Sequence, residues 1–212
     1  MSLDLANPII YLITKGEATP VNFDDASRQI LDIVSVAVEE KIPLVQIREK
    51  HLTAKLLFEL TNKVIKITKG SATRVLVNDR ADIASAAGAD GVHLTSGSLP
   101  TEIIRKTFGT EFIIGVSTHN IDEAETAVAG GADLIVFGPV FDTPDKGAAV
   151  GLSALSDVCD KLKQFPVLAL GGVDKGNYRS VIYAGAKGFA AIRSLNDIDR
   201  LRAIATELRN EN

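Results

Sequence analysis

The chain has 212 residues and a formal charge of −4, with 46% hydrophobic and 24% charged residues. Those are the values of an ordinary soluble globular protein, and an acidic sum excludes an electrostatic case for nucleic acid or a membrane surface as partner. Cys159 stands alone, which excludes an intrachain disulfide, and His51, His93 and His119 are too scattered to form a zinc site. No apolar run approaches the ~18 residues of a membrane span, and no basic-then-apolar export signal opens the chain, so a cytoplasmic protein is expected.

Taken in order, short apolar runs alternate with longer helical stretches. The first run, Ile9–Thr14, precedes Asp24–Glu40, where Ile30, Ile33, Val34, Ala37 and Val38 recur at spacings of three and four. The second, Leu44–Arg48, precedes the helical stretch Leu56–Ile67. Then come Arg74–Val77, Asp90–Leu94 and Phe112–Val116. A helical segment over Asp122–Ala129 follows, and after it Asp133–Phe137, Pro166–Leu170 and Gly188–Ile192. Runs this short and rich in Val, Ile and Leu read as parallel strands buried on both faces. Asn120 and Ser153 suit helix N-caps, and Pro100 suits a first helical turn.

Three junctions repeat a theme: Ala87-Gly88-Ala89-Asp90, Gly130-Gly131-Ala132-Asp133 and Ala184-Gly185-Ala186-Lys187. Glycine there ends a helix in the left-handed conformation, and alanine lets helix and sheet approach closely. Repeated βα units without a linker predict a single α/β domain over residues 1–212, a (β/α)8 TIM barrel. An open doubly wound sheet is the competitor. It is weakened because no Gly-x-Gly-x-x-Gly turn follows the first run.

In such a barrel the loops after the strands' C-terminal ends build the site. After the second run, alternation places Gln46, Arg48 and Lys50 on one face. A clamp for a polyanion explains them; a frayed strand end with solvated charges is the alternative. After the third, Asp79 in Asn78-Asp79-Arg80 suits Mg2+ or a helix cap. After the fifth, Ser117 and Thr118 suit an anion, His119 a proton carrier, and capping by Asn120 accounts for part of the same pattern. After the sixth, a long loop carries Thr143 and Lys146, either as a closing loop over an anion or as mobile surface. After the seventh and eighth, Gly171-Gly172 and Arg193-Ser194 suit a phosphate, although a plain tight turn also explains the glycines.

Read together, Tyr11-Leu12-Ile13-Thr14, Gln46-Ile47-Arg48-Glu49-Lys50, Asn78-Asp79-Arg80, Gly91-Val92-His93-Leu94, Gly115-Val116-Ser117-Thr118-His119, Phe137-Gly138-Pro139-Val140-Phe141 with Thr143 and Lys146, and Ala169-x-Gly171-Gly172-Val173 resemble the thiamine-phosphate synthase family and its TenI-like sister group. The resemblance implies a transferase that joins hydroxymethylpyrimidine diphosphate to thiazole phosphate and releases diphosphate. It implies that Gln46, Arg48 and Lys50 hold the diphosphate with Asn78, Ser117, Thr118 and Lys146. Arg48, Lys50 and Lys146 carry the catalytic role, and Asp79 ligates Mg2+. Gly172, Arg193 and Ser194 hold the thiazole phosphate with Thr143 nearby. Partners are then small phosphorylated molecules, with self-association into a homo-oligomer allowed.

The chain departs from the family pattern after the fourth run. Where the family has His-x-Gly-Gln-x-Asp-Leu-Pro, this chain has His93-Leu94-Thr95-Ser96-Gly97-Ser98-Leu99-Pro100. Ser98 stands where the family's second Mg2+ ligand would be, and Arg193 where it has serine. Ser96-Gly97-Ser98 resembles the TenI-like group. The alternatives are therefore a thiazole tautomerase using His119, or a phosphate-binding barrel without turnover. The TenI-like motif after the sixth run carries histidine, where this chain has Pro139.

Overall fold

The structure is a computed structural model that describes residues 8–143 and 147–210. Among them, strands and helices alternate: β1 Ile9–Ile13, α1 Phe23–Glu39, β2 Leu44–Ile47, α2 Ala54–Thr68, β3 Arg74–Asn78, α3 Ala81–Ala87, β4 Gly91–Leu94 and α4 Thr101–Phe108. They continue as β5 Ile113–Thr118, α5 Ile121–Ala129, β6 Leu134–Phe137, α6 Gly151–Leu162, β7 Val167–Leu170, α7 Tyr178–Tyr183, β8 Gly188–Ala191 and α8 Ile198–Asn210. The strands pair in chain order as a closed barrel. Parallel neighbours require a crossover between each pair, and the intervening helices supply it. No described helix is long and apolar enough to cross a membrane.

The chain divides into two compact units, one of residues 11–92 and 192 onward, the other of residues up to 10 and 93–191. In the first, β1 pairs with β2 (Tyr11 opposite Leu44) and β2 with β3 (Gln46 opposite Leu76). Every residue of β1 and β2 is buried. Helix α1 turns Ile30, Ile33, Val34 and Ala37 inward, as the three-and-four spacing demands. Thr53 caps α2 by accepting from the Leu56 N–H.

In the second unit β5, β6 and β7 pair in register, with Ser117 opposite Val136 and Val136 opposite Leu168, and β7 continues to β8. Tyr178 packs its ring 5.9 Å from that of Phe189, both fully buried. Such a pair contributes about 0.5–1.5 kcal/mol beyond its buried area.

The three Gly-Ala junctions behave alike. Gly88, Gly131 and Gly185 take φ of 71°, 93° and 99°, the left-handed turn that only glycine adopts without strain. The residue after each Gly-Ala pair then docks on the start of the preceding strand: the N–H groups of Asp90, Asp133 and Lys187 donate to the carbonyls of Val75, Ile114 and Val167. In the two aspartate versions the carboxylate accepts back, from Val75 N at 2.8 Å and Ile114 N at 2.7 Å. Arg74 and Arg105 pair with Asp90 and Asp133.

Asn120 caps α5 as expected, accepting from the Glu123 N–H at 2.9 Å. Ser153 does not cap α6. That helix begins at Gly151, whose φ of 81° lets the chain enter earlier, so Ser153 lies inside its first turn. Pro100 is the residue just before α4 rather than its first.

Candidate functional site

In the unit built on β1–β3, three polar side chains form a bonded row at the strand ends. Gln46 is 1% exposed and donates from Nε2 to Asn78 Oδ1 at 2.9 Å. Asn78, also buried, donates from Nδ2 to Asp79 Oδ2 at 2.6 Å. A carboxylate can only accept, so Asp79 fixes the Asn78 amide, and Asn78 in turn fixes Gln46. The row ends on Gln46 Oε1, which is buried and has no partner among the described residues. A buried acceptor left open at a strand end can take a hydrogen bond from a ligand or an ordered water.

Asp79 is exposed and holds a φ of 58°. Aspartate tolerates this conformation better than most residues, and strain of about 1 kcal/mol or more is characteristic of functional positions. Arg80 does not share in the row. Its guanidinium grips Asp82 through two bonds of 2.8 and 2.6 Å, and that hydrogen-bonded guanidinium holds the Asp82 carboxyl below its ordinary range.

Arg48 is half-buried just past β2, its N–H donating to Thr14 Oγ1 at 2.8 Å. Lys50 is exposed in the following turn. The strand stops at Ile47, so strand alternation covers Gln46 but reaches neither Arg48 nor Lys50. Between Arg48 and Lys50, Glu49 is 2% exposed and accepts from Gly16 N at 3.0 Å and Ala18 N at 2.8 Å. In the loop after β8, Arg193 is exposed and Ser194 buried. Asn196 ties that loop down, donating to the carbonyls of Ile13 at 2.7 Å and Ile192 at 2.6 Å.

The other unit places a second group of polar side chains at its strand ends. His93 on β4 is 2% exposed, and its Nε2 lies 2.8 Å from Ser117 Oγ on β5. Gly115 makes room for it: a Cβ there would come within 3.0 Å of His93 Nδ1. His93 can therefore orient the Ser117 hydroxyl. Thr118 is 1% exposed, and its Oγ1 has no partner among the described residues. His119 turns outward and places Nδ1 2.6 Å from the Gly138 carbonyl. A carbonyl only accepts, so that nitrogen carries the proton and Nε2 is the basic one.

Gly138, Gly171 and Gly172 are required by packing. A Cβ on Gly138 would sit 2.0 Å from the Leu170 carbonyl oxygen, and one on Gly172 2.8 Å from Phe141 Cβ. The loop after β6 thus lies directly along the end of β7, where Val140 N and Phe141 N donate to Leu170 and Gly171. Asn177 Nδ2 donates to the Gly172 carbonyl at 2.8 Å. Thr143 is half-buried and donates to the Phe141 carbonyl at 3.0 Å. Lys146 lies outside the described residues.

Near β4, Ser98 accepts the Thr95 N–H at 2.7 Å, so its hydroxyl closes a local turn. Among the described residues no group of three His, Cys, Asp or Glu side chains could hold a metal ion.

The sequence reading did not single out the roles of Glu49, Asn196 or His93. His93 had a visible signal, since an imidazole inside an apolar strand needs a polar partner. Glu49 and Asn196 bond to backbone groups far away in sequence, which leave no side-chain pattern.

Comparison with known proteins gives consistent matches. The family model described as thiamine monophosphate synthase matches residues 10–195. A Geobacter sulfurreducens relative is 40% identical over 189 residues, covering 88% of this chain and 85% of its own. The thiamine-phosphate synthase of Roseiflexus sp. (strain RS-1) is 35% identical over 190 residues, covering 88% of this chain and 78% of its own. Among solved structures, thiamine phosphate pyrophosphorylase from Pyrococcus furiosus superposes with a TM-score of 0.79 at 29% identity, over 95% of this chain and 96% of that one.

Proposed function

Because the chain belongs to the thiamine monophosphate synthase family, we propose that it is the transferase that joins hydroxymethylpyrimidine diphosphate to thiazole phosphate. The observation that carries this reading is the row from Gln46 through Asn78 to Asp79. It presents one oriented carboxylate, in the same unit as the half-buried cation of Arg48.

In the reaction the bond between the pyrimidine methylene carbon and the diphosphate oxygen breaks, and the thiazole nitrogen supplies the electron pair for the new carbon–nitrogen bond. Negative charge grows on the departing diphosphate. The family resemblance assigns Arg48, Lys50 and Lys146 to neutralise it as catalytic cations, and Asn78, Ser117 and Thr118 to donate to its oxygens. The Thr118 hydroxyl, buried without a partner among the described residues, suits that task. Gln46 is assigned differently from the simple clamp. Its open atom is an acceptor, so it would receive a donor such as an amino group. The same resemblance assigns Gly172, Arg193 and Ser194, with Thr143, to the thiazole phosphate. The phosphate's charge is met there by Arg193.

A single carboxylate fits Mg2+, which is commonly held by one or two carboxylates and completed by substrate phosphates and water. Asp79 is the residue that would hold it. When bound, Mg2+ adds charge neutralisation at the diphosphate.

A second reading, a thiazole tautomerase, is favoured by one observation: the His119 tautomer set by Gly138 leaves a basic Nε2 able to carry a proton. Incubation with each substrate alone and both together, with Mg2+, separates the readings. Transfer requires diphosphate release only when both substrates are present. Isomerisation of the thiazole phosphate without the pyrimidine, abolished by His119→Ala, would replace transfer by the second reading.

A further inference from the structure

We propose that Glu49 is a positioning residue for the anion site, acting through Arg48 by pinning the loop between β1 and α1 against the guanidinium. The inference rests on the assignment of Arg48 to the diphosphate.

Glu49 and Arg48 are chain neighbours, yet both converge on Gly16. Glu49 takes the Gly16 N–H on one carboxylate oxygen and the Ala18 N–H on the other. Its carboxylate is buried, and burying a charge is costly unless hydrogen bonds compensate it. Here they do, and each bond fixes the same short loop. Gly16 has φ of 83°, and a Cβ on it would come 2.9 Å from Arg48 Nη1 and 3.1 Å from the Arg48 carbonyl oxygen. The backbone of this loop is therefore in close contact with the guanidinium. From the other end, Thr14 accepts the Arg48 N–H, and Thr14 N donates to Gln46 O at 3.0 Å.

Arg48 is thus held at its main chain by Thr14 and walled at its head by Gly16, whose position Glu49 sets. A glutamine at position 49 has one acceptor oxygen, and its amide group would face a backbone N–H with another N–H. The loop then releases, and the guanidinium loses its wall. Fixing a binding group in one geometry raises affinity by reducing what must be ordered on binding.

The test is calorimetric titration of the full chain with inorganic diphosphate and Mg2+, in wild type, Glu49→Gln, Arg48→Ala and the double variant, alongside steady-state kinetics. Glu49→Gln is expected to weaken diphosphate binding, and to raise KM for the pyrimidine diphosphate, by about tenfold, within the range of coupled contacts. KM for thiazole phosphate should stay unchanged. In the Arg48→Ala background, Glu49→Gln should cost nothing further. A loss that persists undiminished in that background, or equal losses for both substrates, would make Glu49 merely structural and overturn the inference. Should Glu49→Gln fail to fold, Glu49→Asp carries the same cycle, because its shorter side chain cannot reach both N–H groups. Wild type that binds no diphosphate would instead remove the assignment of Arg48 itself.

Discussion

Asn78 Nδ2 donates to Asp79 Oδ2 at 2.6 Å, and this bond orients the carboxylate proposed to meet Mg2+. A side chain that orients a metal ligand commonly costs about 10–100-fold in metal affinity or activity when removed. Asn78→Ala should therefore raise the Mg2+ concentration for half-maximal activity by about tenfold or more. Asp79→Asn should do so more severely. Because asparagine also tolerates the left-handed backbone, thermal unfolding of Asp79→Asn should shift by no more than about 2–4 °C. Mg2+ titration of activity beside a melting curve checks both.

By the family resemblance Ser98 is assigned to the position of a second carboxylate, and its hydroxyl accepts the Thr95 N–H. Aspartate can accept the same bond, since both residue types close such turns. Ser98→Asp should keep the fold and lower the Mg2+ requirement several-fold. An unchanged requirement in a stable variant would show that position 98 takes no part in metal binding.

Gly138→Ala tests the packing of the loop after β6 on β7. The new Cβ would meet the Leu170 carbonyl oxygen at 2.0 Å, a backbone atom that cannot swing aside. A loss of about 1–3 kcal/mol is expected, read as a lower denaturant midpoint. Activity should fall with it, because Gly171 and Gly172 lie along the same contact.

Much of this architecture can be read from the residues alone. Eight short apolar runs become eight strands, because a parallel strand buried on both faces has no polar side to show. The Gly-Ala junctions announce their left-handed glycines. The pairing of Gln46 with Asn78 is not announced, since it depends on the register of β2 with β3. Lys50 illustrates the limit of alternation: the period of two holds only while the strand lasts, and β2 ends at Ile47. Ser153 illustrates the limit of capping signals, because a left-handed Gly151 starts α6 without a side-chain cap. Glu49 is hidden most completely, its partners among the described residues being backbone N–H groups.

Burial pushes the Cys159 thiol from 9.0 up to about 11, with Asp160 adding to the rise and Lys187 opposing it. At pH 8 the folded thiol should alkylate roughly a hundredfold more slowly than an unperturbed one, the factor carried by two pKa units. The sign for stability follows. Above pH 9 the unfolded chain releases a proton that the fold retains, so this thiol lowers stability between pH 9 and about 11. Cys159→Ala should flatten that part of the stability–pH curve, measured by denaturant unfolding.

The most direct test of transferase function is mass-resolved product analysis with hydroxymethylpyrimidine diphosphate, thiazole phosphate and Mg2+. The expected result is thiamine phosphate formed in equal amount to released diphosphate, and reduced severely in Asp79→Asn. Folded protein that binds both substrates yet forms no thiamine phosphate with any divalent cation would contradict it.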